Sequence, residues 1–462
     1  MNKKLSSVIE ESLLSSTSHG IPNIIRSDKL AIRLMWIFFT VMSTGLCSYM
    51  IVQSIMNYFS YETTSKIQIH TETSPIFPAI TICNTNFFTS EYSTEFIKNL
   101  SLDFQTSAYF AYEKYLKLRQ MITSSEELMS NSYKFGDSFE KLIVHCRLLT
   151  IDCKNKEYWN YYYHQIYGNC YQINTGRENL IRVSRTGWYN SLSVILNISL
   201  ADGLEGLYAG SGAVVMIHNQ TTSPLSTDAF GVSSGVETFV AISRQFKSSL
   251  PKPYSNCDGD TSDPNVFNSK LFKLISSKNI SYNRKLCMDV CFQDLIIQEC
   301  NCYFLGSPFF GDKFINQCLN DVEYKCMNSK IENDLKNSSI KNDICQSQCP
   351  LECNSMSYKI FYSFNDFINE KNNEDLNNFY NFTGTNRRQM KNDLVSLYFY
   401  YETLNYEEMT EKESIDFVGL LSNLGGIAGL FLGISFLSLV EIIEIALQIF
   451  NFFITRKKVD QI

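Results

Sequence analysis

The stretch FVGLLSNLGGIAGLFLGIS, residues 417–435, decides the reading of this chain. It is uncharged, no charge intervenes between Asp416 and Glu441, and apolar character resumes from Ile445 to Ile454. A helix needs about 20 such residues to cross the hydrocarbon core of a bilayer. The whole segment is longer than one straight crossing requires, so part of it should tilt, break or run on beyond the bilayer. Gly425, Gly429 and Gly433 recur at i, i+4 and i+8 and would form one smooth stripe on a helix. Small residues let backbones approach closely in lipid. On the residues alone the stripe favours plain helix packing over the wall of a narrow path.

A second apolar run lies toward the N-terminus. No charge falls between Arg33 and Glu62, and Leu34 to Met56 is dominated by apolar side chains. Lys3, Lys4, Arg26, Lys29 and Arg33 precede this run, while Arg456, Lys457 and Lys458 follow the other one. Cationic flanks prefer the cytoplasm, so both termini are expected inside and residues from about 57 to 415 outside. A cleaved signal peptide is the competing reading, and Ser43 to Ser48 offers the small residues a cleavage site uses. Against it stand the long polar leader and an apolar run longer than a typical signal core.

Cysteine usage agrees with an outside middle. Of 15 cysteines, 14 lie between Cys83 and Cys353, and the other, Cys47, sits in the first apolar run. An even set of this density suggests seven disulfides made in an oxidising compartment. Zinc pairs usually read C-x2-C with a matching second pair, which is absent, so no metal is expected. Six N-x-S/T sequons, at Asn99, Asn197, Asn219, Asn279, Asn337 and Asn381, all fall in the same middle segment. The formal net charge of -7 carries no basic signature for nucleic acid. No coherent set of nucleophile, base and orienting residue suggests an enzyme.

The middle segment shows no 20 to 50 residue repeat and few prolines, which suggests one compact domain of mixed α and β content. Strand-like runs are Leu192 to Ile198, Ala213 to His218, Glu237 to Ser243 and Leu394 to Tyr401. Helices are expected over Glu91 to Leu118 and Leu286 to Cys300. Cys287 and Cys291 stand four apart on one helix face, as do Cys345 and Cys349, so two faces could be joined by a ladder of bridges. The polar run Asn328 to Asp343 reads as an exposed excursion, and Asn365 to Asn392 as a surface loop or exposed helix.

An ordered set of short motifs runs through this frame. His19-Gly20 precedes the first span, and Phe77-Pro78-Ala79-Ile80-Thr81-Ile82-Cys83-Asn84 follows it. Then come Gly168-Asn169-Cys170-Tyr171, Tyr282 with Cys287 and Cys291, Cys300 with Cys302, Cys345, Cys349-Pro350, and Cys353 with Tyr358. Leu404-Asn405-Tyr406-Glu407 precedes the second span, which closes on Gly433-Ile434-Ser435. In that order the set resembles the degenerin/epithelial sodium channel family, the amiloride-sensitive sodium channels, which include acid-sensing and peptide-gated members.

The resemblance implies an α+β membrane protein of the plasma membrane with two transmembrane helices, a large disulfide-rich extracellular domain and both termini cytoplasmic. Its parts would be a cytoplasmic segment 1–33 with the His-Gly motif, a first span 34–56, an extracellular domain 57–415, a second span 416–454 and a tail 455–462. The implied disulfides are Cys83–Cys170, Cys146–Cys153, Cys257–Cys353, Cys287–Cys349, Cys291–Cys345, Cys300–Cys326 and Cys302–Cys318, which leave no middle cysteine over. The resemblance also implies that the chain is a pore-forming subunit of a trimeric, sodium-selective channel, built with identical or homologous subunits in membrane lipid. Sodium would be the permeant ion, and no cofactor is implied.

Site residues follow from the same match. Gly433, Ile434 and Ser435 would form the selectivity filter. Glycine tolerates non-helical backbone, and rings of carbonyl and hydroxyl oxygens are one route to ion selectivity. His19 and Gly20 would act in gating, Ser422 stands where bulky substitutions hold relatives open, and Gly429 matches the position of amiloride block. Glu441 and Glu444 share a helix face and would either ring the inner mouth with carboxylates or simply be solvated at the cytoplasmic boundary. Gating by an extracellular neuropeptide is favoured over constitutive, acid or mechanical gating. Tyr254 and Asn423 stand where acid-sensing relatives carry Trp and Asp. The alternatives are an ATP-gated type of two-span trimer, which should lack His19-Gly20 and the Phe77 to Asn84 signature, and a single-pass adhesion receptor, which needs no glycine stripe.

Overall fold

The computed structural model describes residues 20–100, 115, 118, 119, 121, 122, 125–204, 207, 210–225, 228–258, 261, 263, 267–278, 280–305, 307–310, 315–318, 320–336, 344–367, 387–438, 440, 441, 443, 444 and 447. His19 and the sequons at Asn279, Asn337 and Asn381 lie outside these residues. In chain order the helices are α1 (Gly20–Arg26), α2 (Leu30–Phe59), α3 (Glu91–Asn99), α4 (Glu126–Ser130), α5 (Phe139–Leu142), α6 (Lys270–Ser276), α7 (Arg284–Cys300), α8 (Asp321–Lys336), α9 (Arg387–Asp393) and α10 (Phe417–Leu432). The strands are β1 (Thr63–His70), β2 (Ala79–Asn84), β3 (Ile143–Leu148), β4 (Ile151–Asp152), β5 (Trp159–His164), β6 (Gly168–Ile173), β7 (Leu192–Asn197), β8 (Gly212–His218), β9 (Ala229–Ser233), β10 (Val236–Ser248), β11 (Cys257–Asp258), β12 (Leu351–Glu352), β13 (Asn354–Asp366) and β14 (Leu394–Glu413).

The chain divides into two compact units, Lys66–Thr410 and Met1–Ser65 with Glu411–Ile462. The larger unit is built on two sheets. One runs β13-β10-β14-β7-β3-β4, with β1 also on β14, and the other runs β5-β6-β2-β8-β9. Alternating residues face a shared core: Ile80 and Ile82 from β2 and Val215 and Ile217 from β8 meet Val194, Leu196, Val240, Ile242, Leu397 and Phe399 from the other sheet. β10 shows the period-two burial of a strand with one covered face, whereas every residue of β2, β6 and β8 is buried, so those strands are covered on both faces. β14 is parallel to β10 and antiparallel to β7, so it lies inside its sheet.

Seven disulfides close this unit: Cys83–Cys170, Cys146–Cys153, Cys257–Cys353, Cys287–Cys349, Cys291–Cys345, Cys300–Cys326 and Cys302–Cys318. Cys83 and Cys170 stand directly opposite on β2 and β6, so the bridge follows from register. Asn283 caps α7 by accepting from the Lys285 N–H, and Asn301 ends it in the left-handed region. One turn apart on that helix, Cys287 and Cys291 reach Cys349 and Cys345.

One expectation is corrected here, and two segments left irregular in the sequence acquire structure where they are described. The helix expected over Glu91 to Leu118 ends at Asn99 in its described part, and the next helical residues described begin at Tyr115. The excursion expected from Asn328 is helical as far as Lys336, because Cys326 is bridged to Cys300 and Met327 and Ile331 pack beside that bridge. Of Asn365 to Asn392, expected as a surface loop or exposed helix, residues 368–386 lie outside the described residues; the described ends belong to β13 and α9, where Met390 is buried against Ile195 and Leu394.

In the smaller unit α2 has 30 residues, enough at about 1.5 Å per residue for a full crossing. It is the one helix among the described residues long and apolar enough to cross a membrane by length and composition; α10, with 16 residues, is shorter. The buried positions on α2 are Cys47 and Ser54, seven apart and so on one face.

Candidate functional site

α10 begins at a tight cap. The Asp416 carboxylate accepts from the Gly419 N–H at 2.7 Å, and a Cβ on Gly419 would stand only 2.8 Å from that same oxygen. The helix then presents two different faces. Leu420 is buried, and Leu424, Ile427 and Phe431 are partly covered, at the spacing of one helical face. Ser422, Gly425, Gly426 and Gly429 are exposed, and a Cβ placed on Gly425 or Gly426 meets nothing within 4 Å. The glycine stripe is therefore not consumed by packing within this chain. The Ser422 hydroxyl is turned back on its own helix and donates to the Val418 carbonyl at 2.9 Å.

The helix breaks where the sequence places Gly433-Ile434-Ser435. Gly433 caps α10 with φ 68°, a left-handed conformation that side chains with a Cβ adopt only at a cost. Its N–H reaches back to the Ala428 and Gly429 carbonyls. Residues 433–435 are non-helical, and helical backbone resumes at Phe436. Ser435 starts that next helical stretch: its N–H donates to the Ser438 hydroxyl at 3.0 Å, while the Ser438 N–H donates to the Ser435 carbonyl at 3.0 Å. This is the returning half of a capping box, with serine in place of the usual Glu or Gln; the other half is a backbone bond. A break of this kind frees the last carbonyls of the helix. One of them, on Phe431, accepts from the Ser43 hydroxyl of α2 at 2.5 Å.

Gly20 opens α1, and its lack of a side chain has a steric reason. A Cβ there would stand 2.6 Å from Thr40 Oγ1 and 2.8 Å from Thr40 Cγ2 on α2. Glu441 and Glu444 both lie on helical backbone beyond the break, Glu441 half-buried and Glu444 exposed. A cavity of about 440 Å³ lies between the two helices, lined by Gln53, Ser54, Asn57 and Asn423 among apolar neighbours. The Ser54 hydroxyl is buried there without a hydrogen-bond partner among the described residues.

Sequence reasoning did not single out Thr40, Ser43 or Ser438. A signal was present, because Thr40, Ser43 and Thr44 interrupt an apolar run in which polar side chains mark helix contacts. The structure sets Gly429 beside the Ile434 carbonyl and puts the Ser43 hydroxyl on Phe431, two residues before Gly433, whereas Gly20 sits against Thr40.

In the larger unit, Arg244 of β10 is buried between the rings of Tyr401 and Tyr406. It donates to Glu72 at 2.7 Å and to the Leu404 carbonyl at 2.8 Å. Where β1 meets β14, His70 contacts Glu408 at 2.7 Å and stacks on Tyr406. Burial pushes the carboxyls of Glu237 and Asp393 up and the imidazole of His218 down. Of the sequons in the described residues, Asn99 ends α3, Asn197 ends β7, and Asn219 follows β8.

A sequence model described as "Amiloride-sensitive sodium channel" matches residues 13–445. The epithelial sodium channel subunit gamma of Neoceratodus forsteri is 27% identical over 345 residues, 72% of this chain and 49% of its own length. The epithelial sodium channel subunit beta of Rattus norvegicus is 29% identical over 353 residues, 74% of this chain and 53% of its own. The chain thus spans about half the length of these two relatives. Acid-sensing ion channel 1A of Danio rerio is 24% identical over 468 residues, 96% of this chain and 88% of its own. Among solved structures, a proton-activated chloride channel aligns over 90% of this chain and 98% of its own, with 9% identity and a TM-score of 0.35, too weak a likeness to bear on the argument.

Proposed function

We propose that this chain, which belongs to the amiloride-sensitive sodium channel family, is a pore-forming subunit of a sodium-selective channel in the plasma membrane. The family is one of ion channels, not enzymes. The observation that supports the reading best is the broken helix: α10 stops at a left-handed Gly433, three residues run unwound, and the helix resumes. Unwound backbone at membrane depth is tolerated only where protein buries it or water lines it. With the Ser422–Gly429 stripe exposed in the single chain, both conditions are met if copies of α10 surround a common axis.

In this reading residues 34–56 and 416–454 span the bilayer, 57–415 lie outside, and 1–33 and 455–462 lie in the cytoplasm. Three subunits, identical or homologous, enclose the path within membrane lipid. Gly433, Ile434 and Ser435 line the filter, offering carbonyl and hydroxyl oxygens to a partly dehydrated sodium ion. Gly429 lies where amiloride blocks, and Glu441 and Glu444 draw cations to the inner mouth. His19 and Gly20 act in gating from the cytoplasmic side, and an extracellular peptide is the stimulus.

The test is to express the chain alone and with sister subunits, and to record current during sodium replacement and amiloride application. Gly433→Arg should abolish a current that the unaltered chain carries, and Ser422→Trp should raise resting current. A current whose selectivity survives Gly433→Arg would remove the filter from this position.

A further inference from the structure

Between Ser435 and Glu441 the chain reads Phe436, Leu437, Ser438, Leu439 and Val440, so Ser438 is the one polar side chain of the run. We infer that Ser438 is a positioning residue for ion selectivity: it holds the backbone turn of Ser435 and aims the Ser435 hydroxyl oxygen at the permeant cation.

Burial sets Ser438 apart from its neighbours. Phe436 and Leu437 are 81% and 69% exposed and Ser435 is exposed, whereas Ser438 is 7% exposed. Burying a hydroxyl is unfavourable unless it is hydrogen-bonded. Serine also gives up helix propensity relative to alanine, because its side chain competes for backbone groups. Packing and propensity would both be served better by alanine here, so neither accounts for the residue.

The bonds of Ser438 account for it. Its hydroxyl oxygen accepts from the Ser435 N–H at 3.0 Å, and its own N–H donates to the Ser435 carbonyl at 3.0 Å. The two bonds close a ring around residues 435–438 at the point where the unwound segment re-enters a helix. They fix the angles at which Ser435 leaves that segment. On the near side of the break, the Ser43 hydroxyl holds the Phe431 carbonyl. Ser438 is the matching brace on the far side.

The Ser435 hydroxyl lies 3.4 Å from the same Ser438 oxygen, longer than an ordinary O–H···O bond. The amide bond is therefore the stronger restraint and the hydroxyl contact the weaker one. A serine hydroxyl carries one proton and two lone pairs. With its proton turned toward Ser438, the Ser435 oxygen shows lone pairs to an approaching cation. That is the polarity a filter of carbonyl and hydroxyl oxygens needs. Without Ser438 the hydroxyl has no fixed direction, and the turn that aims the adjoining carbonyls loses its brace.

The inference rests on the filter assigned above to Gly433, Ile434 and Ser435, and the two are tested apart. The full chain, with sister subunits where it needs them, is altered by Ser438→Ala, Ser438→Val or Ser438→Thr. Reversal potentials are recorded in paired sodium and potassium solutions at measured surface abundance. Threonine keeps the hydroxyl, and valine matches its shape without one. The sodium-over-potassium permeability ratio should fall about fivefold in Ser438→Ala and Ser438→Val and stay within about twofold in Ser438→Thr. Amide hydrogen exchange of the full chain in lipid nanodiscs reads the brace without any current. Exchange at Ser435 should quicken roughly tenfold in Ser438→Ala and Ser438→Val, and not in Ser438→Thr.

Equal ratios in Ser438→Thr and Ser438→Val would assign the effect to volume and overturn the proposal, as would unchanged exchange at Ser435. A current that Gly433→Arg abolishes, with selectivity unaltered in Ser438→Ala, overturns the role of Ser438 and leaves the filter standing. Faster exchange at Ser435 in a chain whose selectivity survives Gly433→Arg removes the filter, and the role of Ser438 in selectivity with it.

Discussion

The hydroxyl of Ser43 donates to the carbonyl of Phe431 at 2.5 Å, joining two helices across 388 residues of chain. The acceptor is a carbonyl near the end of α10, just before the backbone turns left-handed at Gly433. A serine on the first helix therefore holds the edge of the break in the second.

Ser43→Ala should leave the helix pair assembled and loosen the break. One neutral hydrogen bond contributes about 1 kcal/mol, so the sodium-over-potassium permeability ratio is expected to fall by a few-fold at unchanged surface abundance. Reversal potentials in paired sodium and potassium solutions measure it. A ratio equal to that of the unaltered chain would detach Ser43 from the filter.

Gly20 and Thr40 make a steric pair that double substitution can isolate. Gly20→Ala places a methyl 2.6 Å from the Thr40 hydroxyl, and overpacking of this kind costs about 1–3 kcal/mol. Current per surface channel should fall. Adding Thr40→Gly opens the space, so the double variant should recover part of the loss. Additive losses would mean that the two residues act independently.

Arg244→Gln should be far more damaging than its exposed neighbours suggest. The guanidinium is 5% exposed and the Glu72 side chain 34%, so removing the cation strands a carboxylate that is only partly hydrated. Breaking a buried pair costs about 3–5 kcal/mol, and the partial exposure of Glu72 puts this one at the lower end. Thermal unfolding of the purified chain should drop by several degrees, whereas Lys359→Gln, which breaks a half-exposed pair with Glu407, should change it little.

Acid should weaken the fold through His164. Burial, and then the Arg119 charge, lower its imidazole from 6.5 to about 4. Its Nδ1 accepts from the Ile166 and Tyr167 N–H groups, an arrangement a proton would destroy. The folded state thus binds the proton less readily than the unfolded one. The contribution is complete above about pH 6.5, falls as pH drops, and is lost near pH 4. It is on the order of 3 kcal/mol. Urea midpoints between pH 7 and pH 4.5 should decline in the unaltered chain and decline less steeply in His164→Asn. Parallel slopes would assign the acid sensitivity to other groups.

Much of this architecture is legible in order along the chain. The strands over residues 192–197, 212–218 and 394–401 and the helix of Cys287 and Cys291 follow from local patterns that need no partner elsewhere. α8 was missed because its run from Asn328 is polar, and its anchorage is the distant Cys300 together with packing around Met327. The helical stretch expected after Glu91 was drawn too long because apolar spacing continues past Asn99, where the capped helix ends.

The sequence by itself determined where the backbone leaves the helix. Asp416 sets a start, the glycines remove the side chains from one stripe, and Gly433 with Ser435 sets a stop and a fresh start, because capping and φ preferences act within a few residues. Which groups stand against that break was decided only in three dimensions. Ser43 meets Phe431, and Thr40 meets Gly20, because α1 and α10 both pack on α2. Tyr92, Trp159 and Tyr171 line one cavity because separate strands and turns converge there. A polar residue in a linear run specifies what it can bond. The fold alone specifies what it reaches.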